Sequence, residues 1–140
     1  MNIYFSCSIT GGRDDQSVHE EIVRHLLSQG HDVPTAHLSS ASVMDEEAVI
    51  EPRDVYLRDS KWVEDCDALI AEVSTPSHGV GYEIALALLL GKPVFCCYQE
   101  GRKISKMILG NDHPTLSIKP YKSVYDLLLS VDEFIISIYF

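Results

Sequence analysis

The stretch ALIAEVSTPSHGVGYEIALALLLG, residues 68–91, decides the fold of this chain. It begins with an apolar run, Ala68–Val73, and continues through a glycine-rich turn into a second apolar run, Val80–Leu90, which Gly91 closes. The first run has the length of a buried strand and the second that of a helix. The lack of polar residues predicts that this helix is buried, with Glu83 as the exception in its expected first turn. A carboxylate at the mouth of a buried helix, directly after a strand, is where an α/β protein places chemistry.

Short apolar runs alternate with longer amphipathic segments on both sides of this stretch. The predicted strands are Asn2–Ser8, His31–Pro34, Ala68–Val73, Pro93–Tyr98 and Leu116–Tyr121. The predicted helices are Gln16–Ser28, Pro52–Cys66, Val80–Leu90, Ile104–Leu109 and Val124–Phe140. The polar segment Thr35–Glu51 is expected to be a loop.

Strands that alternate with helices predict a parallel sheet covered by helices on both faces. With right-handed crossovers, five strands most simply form a flavodoxin-like (Rossmann-like) three-layer sandwich of strand order 2-1-3-4-5. A chain of 140 residues is long enough for one such domain, residues 1–140, and too short for two. This order opens a crevice at the carboxyl ends of the first and third strands, beside Cys7–Arg13 and Glu72–Gly81.

Charge and composition exclude several classes of protein. The net charge is −10, opposite in sign to that of a protein that binds nucleic acid polymers by neutralising phosphates. No apolar run approaches the ~20 residues of a membrane span, and the N-terminus lacks the features of a signal peptide. The six histidines show no ligand spacing, so no metal and no cofactor are expected. The cysteines, which show no metal spacing either, are interpreted as reduced, buried thiols of a cytoplasmic protein: Cys7, Cys66, Cys96 and Cys97.

Two glycine-bearing loops could bind an anion at the crevice. In the first, CSITGGR at residues 7–13, backbone N–H groups near Gly11 and Gly12 could form a concave anion site, and Arg13 could add a fork of donors. In the second, PSHGVG at residues 76–81, the N-terminus of a helix carries a partial positive charge. Each loop could equally be a plain turn between a strand and a helix.

Glu83 and Asp59 are the two candidate catalytic carboxylates. The helix dipole is expected to favour the ionised form of Glu83, as a nucleophile requires, although a purely capping role is open. Asp59 lies on the apolar stripe that includes Val55 and Trp62, where burial would raise its pKa and suit a general acid. A solvated Asp59 paired with Arg58 or Arg53 is the alternative.

Two further side chains could contribute to such a site. The hydroxyl of Tyr4, in the first strand, requires a partner if buried, and a carboxylate is a common one. Bonding to the backbone is equally consistent with the pattern. His37 lies in the polar segment after the second strand, where a lone histidine is more often simply exposed.

Four stretches together resemble the 2′-deoxynucleoside 5′-monophosphate N-hydrolases of the nucleoside 2-deoxyribosyltransferase superfamily. They are YFSCSITGGR at residues 4–13, YLRD at 56–59, EVSTPSHGVGYE at 72–83 and GRKISKMILG at 101–110. The resemblance runs in order through nearly the whole chain. It implies a homodimeric flavodoxin-like enzyme that hydrolyses the N-glycosidic bond of a nucleotide.

The resemblance also assigns roles to residues. Glu83 would be the nucleophile that forms a glycosyl-enzyme intermediate, Asp59 would protonate the leaving base and then activate water, and Tyr4 would hold Glu83. His37 matches a histidine near the base, and Ser105 matches a serine supplied by the partner subunit. The 5′-phosphate would be held by Cys7, Ser8, Ile9, Thr10, Gly11, Gly12, Arg13, Ser77 and Gly79. Thr10 and Cys7 depart from the family pattern, which has arginine and glycine there.

The residues leave two other functions open. A nucleoside 2-deoxyribosyltransferase would pass through the same intermediate and exchange bases on deoxynucleosides, and a non-catalytic nucleotide-binding module could use the same fold. Neither the base nor the choice between ribose and deoxyribose follows from the pattern.

Apolar residues in Ala85–Leu90 and Ile135–Phe140 exceed what one small sheet can cover, which also predicts a partner surface.

Overall fold

A computed structural model of the chain describes residues 1–9 and 15–140. Its strands are β1 (Ile3–Ser6), β2 (Ala68–Glu72), β3 (Val94–Gln99) and β4 (Leu116–Tyr121). Its α-helices are α1 (Gln16–Ser28), α2 (Val43–Ala48), α3 (Pro52–Asp65), α4 (His78–Leu89), α5 (Lys106–Leu109) and α6 (Val124–Tyr139). A short 3-10 helix, Ala36–Ser39, precedes α2.

The four strands of the described residues form one parallel sheet in the order β1-β2-β3-β4. The register pairs Tyr4 with Leu69, Leu69 with Val94, and Val94 with Leu116. Side chains alternate between the two faces of the sheet. One face packs on α1 and α6 through residues such as Phe5 and Ile70, and the other packs on α3 and α4. The α/β three-layer arrangement expected from the sequence is therefore present.

The prediction of a five-stranded sheet is wrong, because the segment His31–Pro34 does not form a strand. Only Asp32 pairs with β1, through an isolated parallel bridge to Asn2. Beyond it, the Thr35 side chain replaces the backbone ladder, since its hydroxyl accepts a hydrogen bond from Phe5 N (3.0 Å) and donates one to Phe5 O (2.6 Å). The edge of β1 is thus satisfied without a second strand.

The prediction of a loop over Thr35–Glu51 is also wrong, since this segment contains the 3-10 helix and α2. Both are short, and isolated helices of this length are unstable in water. They are held by burial of Leu38 and Val43 against the core next to α1. Helices that depend on such distant contacts leave little trace in local sequence.

Helix α4 differs from its prediction in two respects that matter for the site. It begins at His78, with the Ser77 hydroxyl accepting a hydrogen bond from Val80 N (3.3 Å) at its N-terminus. Glu83 therefore lies in the second turn rather than the first. The helix is also not buried all round, because Leu89 is 86% exposed.

A buried polar cluster lies at the carboxyl end of β2, on the face that packs against α1. Glu72 is fully buried, and its carboxylate accepts hydrogen bonds from Ser74 and from the Tyr121 hydroxyl, the latter at 3.2 Å. His19 Nε2 lies 3.2 Å from the other carboxylate oxygen. This cluster satisfies a buried carboxylate and faces away from α3 and α4.

The four cysteines are buried and form no disulfide with one another, as expected for reduced thiols. Over residues 1–9 and 15–140, the helices fall short of the length and apolar character needed to cross a membrane.

Candidate active site

A cavity of about 430 Å³ lies beside the carboxyl ends of β1 and β2, where α3 and α4 approach each other. Asp59 of α3 and Glu83 of α4 both line it. Asp59 lies on the inward stripe of α3 and Glu83 follows the turn between β2 and α4, so two different helices bring the carboxylates to one cavity. Other residues at this cavity are Cys7, Ile9, Glu47, Ile50, Val55, Tyr56, Arg58, Ser77, Gly79, Tyr82 and Leu86.

The carboxyl group of Glu83 is largely withdrawn from water. Its Oε2 is fully buried and has no hydrogen-bond partner among the described residues. Burial raises its pKa from 4.5 to about 7, although the nearby Tyr4 hydroxyl and Arg58 lower it. The sequence predicted that the helix dipole would favour ionised Glu83. Instead, burial is the largest influence on its pKa, and it favours the protonated form. The dipole acts mainly within the first turn, and Glu83 lies one turn further along.

Tyr4 lies close to Glu83 and is completely buried. Burial, followed by the charges of Glu83 and Asp59, raises the pKa of its hydroxyl far above the ordinary value. The hydroxyl therefore stays protonated and can act as a donor. Its oxygen makes no hydrogen bond of normal geometry within the described part of the chain, but a looser hydrogen-bonding contact with Glu83 lowers the pKa of that carboxyl.

Asp59 is ion-paired, as the alternative interpretation of the sequence proposed. Its Oδ1 accepts a hydrogen bond from Arg58 Nε at 2.7 Å, and its side chain is 18% exposed. Arg58 also donates to Glu47 Oε1 at 3.0 Å. The sequence analysis assigned no role to Glu47, because it lies in the segment expected to be a loop. The adjacency of Arg58 and Asp59 was the one signal that pointed to this network.

His37 does not line the cavity, but it contacts a residue that does. Its Nε2 lies 2.9 Å from Glu47 Oε1, and its ring meets that of Trp62 edge to face with centroids 6.0 Å apart. His37 thus belongs to the wall that supports Glu47 and Arg58.

The phosphate loops predicted from the sequence are described in part. Thr10, Gly11, Gly12 and Arg13 lie outside the described residues. Cys7 and Ile9 line the cavity, and Ser8 is buried next to them.

The second phosphate loop lies at the same cavity as the carboxylates. A Cβ on Gly79 would lie 3.8 Å from Glu83 Oε1 and 3.9 Å from Ser77 Oγ, so the glycine backbone sits between these two groups. Ser77 accepts a hydrogen bond from Val80 N, which leaves its hydroxyl proton free to donate to an anion.

Ser105 is not brought to this cavity by its own chain. It precedes α5, where its hydroxyl accepts a hydrogen bond from Met107 N at 3.2 Å. It lines a neighbouring groove between α4 and α5, and that groove shares Ser77 and Val80 with the cavity of Glu83.

Two carboxylates on one cavity, next to an anion-binding helix N-terminus, can support glycoside chemistry. The family model of the nucleoside 2-deoxyribosyltransferases matches residues 3–128. The chain belongs to the nucleoside 2-deoxyribosyltransferase family. The resemblance stated from four stretches of sequence is thereby confirmed.

Relatives within this family act on nucleotides, according to their names. The 5-hydroxymethyl-dUMP N-hydrolase of Rattus norvegicus is 41% identical over 113 residues, covering 78% of this chain and 69% of that protein. Its counterpart in Danio rerio is 37% identical over 126 residues, covering 87% of each. The structure of the CMP N-glycosidase from Clostridium botulinum superposes with a TM-score of 0.73 at 18% identity, covering 96% of this chain and 99% of that one. At this identity the superposition establishes the shared fold.

The raised pKa of Glu83 predicts a pH-dependent cost to stability in this family member. Below pH 4.5 the carboxyl is protonated in both the folded and unfolded states, and no cost arises. As the pH rises towards the folded-state pKa of about 7, the unfolded chain ionises first and stability is lost. The full difference corresponds to about 3 kcal/mol.

Glu83→Gln is therefore expected to raise the free energy of unfolding by up to about 3 kcal/mol at pH 8 and by little at pH 4. Urea denaturation at the two pH values measures this. Glu64→Gln, at an exposed position of α3, is the matched control and should show no such pH dependence. An equal gain at both pH values would contradict the assignment to ionisation of Glu83.

Proposed function

We propose that this protein is an enzyme that hydrolyses the N-glycosidic bond of nucleoside 5′-monophosphates, with preference for 2′-deoxy substrates. The products are the free base and 2-deoxyribose 5-phosphate. The observation that carries the proposal is that Glu83 and Asp59 line the same cavity as Ser77 and Gly79. The names of the rat and zebrafish relatives support the same bond and the same substrate class.

In the first step, an ionised Glu83 oxygen attacks C1′ of the sugar. The bond from C1′ to the base breaks, its electron pair passes to the base nitrogen, and a proton from Asp59 neutralises the leaving base. The Tyr4 hydroxyl favours the ionised nucleophile, because it lowers the pKa of Glu83. The result is a free base and a glycosyl ester on Glu83.

In the second step, water attacks C1′ from the face that the base has left. Asp59, now a carboxylate, takes the proton of this water, and the bond between C1′ and the Glu83 oxygen breaks. Both carboxyl groups return to their initial states. The two displacements together retain the configuration at C1′.

The 5′-phosphate would be bound locally, because the chain as a whole is strongly acidic. The first turn of α4 offers backbone N–H groups near Gly79 and the Ser77 hydroxyl, and the dipole of this 12-residue helix favours an anion there. Thr10–Arg13 would complete the site. Ser77 and Gly79 adjoin the Glu83 carboxylate, so a phosphate at this point places the sugar next to the nucleophile.

The test is base release from a panel of 2′-deoxynucleoside and ribonucleoside 5′-monophosphates, followed by chromatography. We expect release of a free base together with deoxyribose 5-phosphate, and slower or no release from nucleosides that lack the phosphate. Nucleotide binding without release from any substrate would contradict the proposal and indicate a binding module.

Base transfer is the second candidate, because the matching family is named for deoxyribosyltransferases. A second base competes with water for the same glycosyl intermediate. Addition of a free base to the reaction distinguishes the two functions. Base exchange that outpaces release of the sugar phosphate would identify a transferase.

We also propose that the active form is a homodimer in which Ser105 of one subunit approaches the cavity of the other. The apolar side chains of Leu89 in α4 and Met107 in α5 are 86% and 85% exposed, and a partner subunit would cover them. Light scattering at micromolar concentration should give twice the mass of the chain. A monomer that retains full activity would contradict a role for Ser105 across an interface.

A further inference from the structure

Arg58 lies between two carboxylates in the wall of the cavity. Its Nε donates to Asp59 Oδ1 at 2.7 Å, and its Nη2 donates to Glu47 Oε1 at 3.0 Å. One guanidinium therefore bridges the proposed proton donor on α3 and a residue of the short helix α2. Both carboxylates and Arg58 itself line the cavity.

The position of this guanidinium is fixed from two further directions. Its central carbon lies 4.9 Å from the centre of the Trp62 ring, which is a cation–π geometry. The same ring meets His37 edge to face, and His37 Nε2 lies 2.9 Å from the Glu47 oxygen that Arg58 binds. Arg58, Glu47, His37 and Trp62 thus form a closed ring of contacts, and Asp59 is joined to this ring through Arg58.

The charges in this set keep Arg58 cationic. Burial lowers the pKa of its guanidinium, but the hydrogen bonds and charges of Asp59 and Glu47 outweigh burial and raise that pKa overall. The side chains are partly shielded, with 23% of Arg58 and 13% of Glu47 exposed. An ion pair in this environment is stronger than one at the open surface, because water screens it less.

The contact fixes the orientation of Asp59. Because a cation at Oδ1 favours the carboxylate there, the proton that the first step needs is assigned to Oδ2. Oδ1 is engaged by Arg58, while Oδ2 makes no hydrogen bond to any residue in 1–9 and 15–140. One oxygen is thus anchored and the other is available to the cavity. A lysine could not reproduce this, since the planar fork of arginine is what reaches both carboxylates at once.

We propose that Arg58 is a positioning residue, which holds Asp59 for proton exchange with the leaving base and ties it to α2 through Glu47. This inference rests on the proposed function. In the first step, the proton on Asp59 passes to the base nitrogen as the bond to C1′ breaks. In the second step, Asp59 takes a proton from water. Arg58 exchanges no proton in either step.

The test compares two substrates whose leaving groups differ in how much they need a proton donor. One is the nucleotide that the parent protein cleaves fastest, and the other is 4-nitrophenyl 2-deoxyriboside 5-phosphate, whose leaving group departs as a stable anion. Single-turnover rates with excess enzyme report the first step alone. Arg58→Gln is expected to slow base release by about 10- to 100-fold, and nitrophenolate release by less than about threefold.

Arg53→Gln is the matched control, because Arg53 lies on the same helix at an exposed position. It should leave both rates unchanged. Arg58→Lys, which keeps the charge and loses the fork, should behave like Arg58→Gln. Glu47→Gln leaves the contact between Arg58 and Asp59 in place and should slow base release by a smaller factor.

Two results would overturn the inference. One is a base-release rate for Arg58→Gln within about threefold of the parent. The other is an equal loss with both substrates, which would show that Arg58 serves the fold or binding alone. Failure of the proposed function is distinguishable from both, since the parent protein itself would then cleave neither substrate.

Discussion

Glu83→Gln is expected to lower base release from nucleotides by at least about 1,000-fold, because the amide cannot form the glycosyl ester. The substitution preserves the volume of the side chain and removes the buried carboxyl group, so the fold should be retained. The loss should appear in kcat rather than in KM, since the phosphate contacts near Ser77 remain. Steady-state kinetics, with circular dichroism to verify folding, measure both expectations.

Glu64→Gln serves as the control here too, since it removes a carboxyl group from the outer surface of α3. It should retain the activity of the parent. More than a tenth of parental activity in Glu83→Gln would contradict the assignment of Glu83 as the nucleophile. In the parent, activity should rise with pH through about 7, because the nucleophile must be ionised.

The second large effect is expected from Asp59→Asn. Base release from nucleotides should fall by about 10²- to 10⁴-fold, the usual contribution of a general acid. With 4-nitrophenyl 2-deoxyriboside 5-phosphate, the first step needs no proton and should remain fast. The second step lacks its base, so nitrophenolate should appear in a burst that equals the enzyme concentration and then slowly.

The control for this burst is the parent protein, in which Asp59 is proposed to activate water, so turnover should continue without a pause. A steady rate without a burst in Asp59→Asn, equal to that of the parent, would exclude Asp59 from the second step. Loss of the burst as well as of turnover would show that Asp59 is needed for binding or folding instead.

Much of the fold was predictable because β1, β2 and the first four residues of β3 are buried on both faces and read as nearly continuous apolar runs. Ala68–Glu72 and Gln16–Ser28 lie where the sequence placed them. The strand predicted at His31–Pro34 could not be excluded in advance. The hydroxyl of Thr35 binds the backbone of Phe5 in its place, and the sequence does not show that these two residues meet. Helix α2 was missed because burial of Val43, rather than its own propensity, holds it.

The site was predictable to the extent that topology and helical spacing determine it. Glu83 and Asp59 share a cavity because the turn after β2 and the inward stripe of α3 point to the same crevice. The charge states of Glu83 and Asp59 were harder to predict from the sequence. The start of α4 at His78 moves Glu83 away from the strongest part of the dipole, and Glu47, which Arg58 binds, lies in a segment that sequence alone assigned to a loop.

The measurement that tests the central claim most directly is the intact mass of Asp59→Asn after its burst with 4-nitrophenyl 2-deoxyriboside 5-phosphate. Two carboxylates that act in turn on one sugar predict a protein heavier by one deoxyribosyl phosphate group, and peptide mapping should place that group on Glu83. An unmodified protein after a completed burst, or a sugar attached to any other residue, would contradict the account.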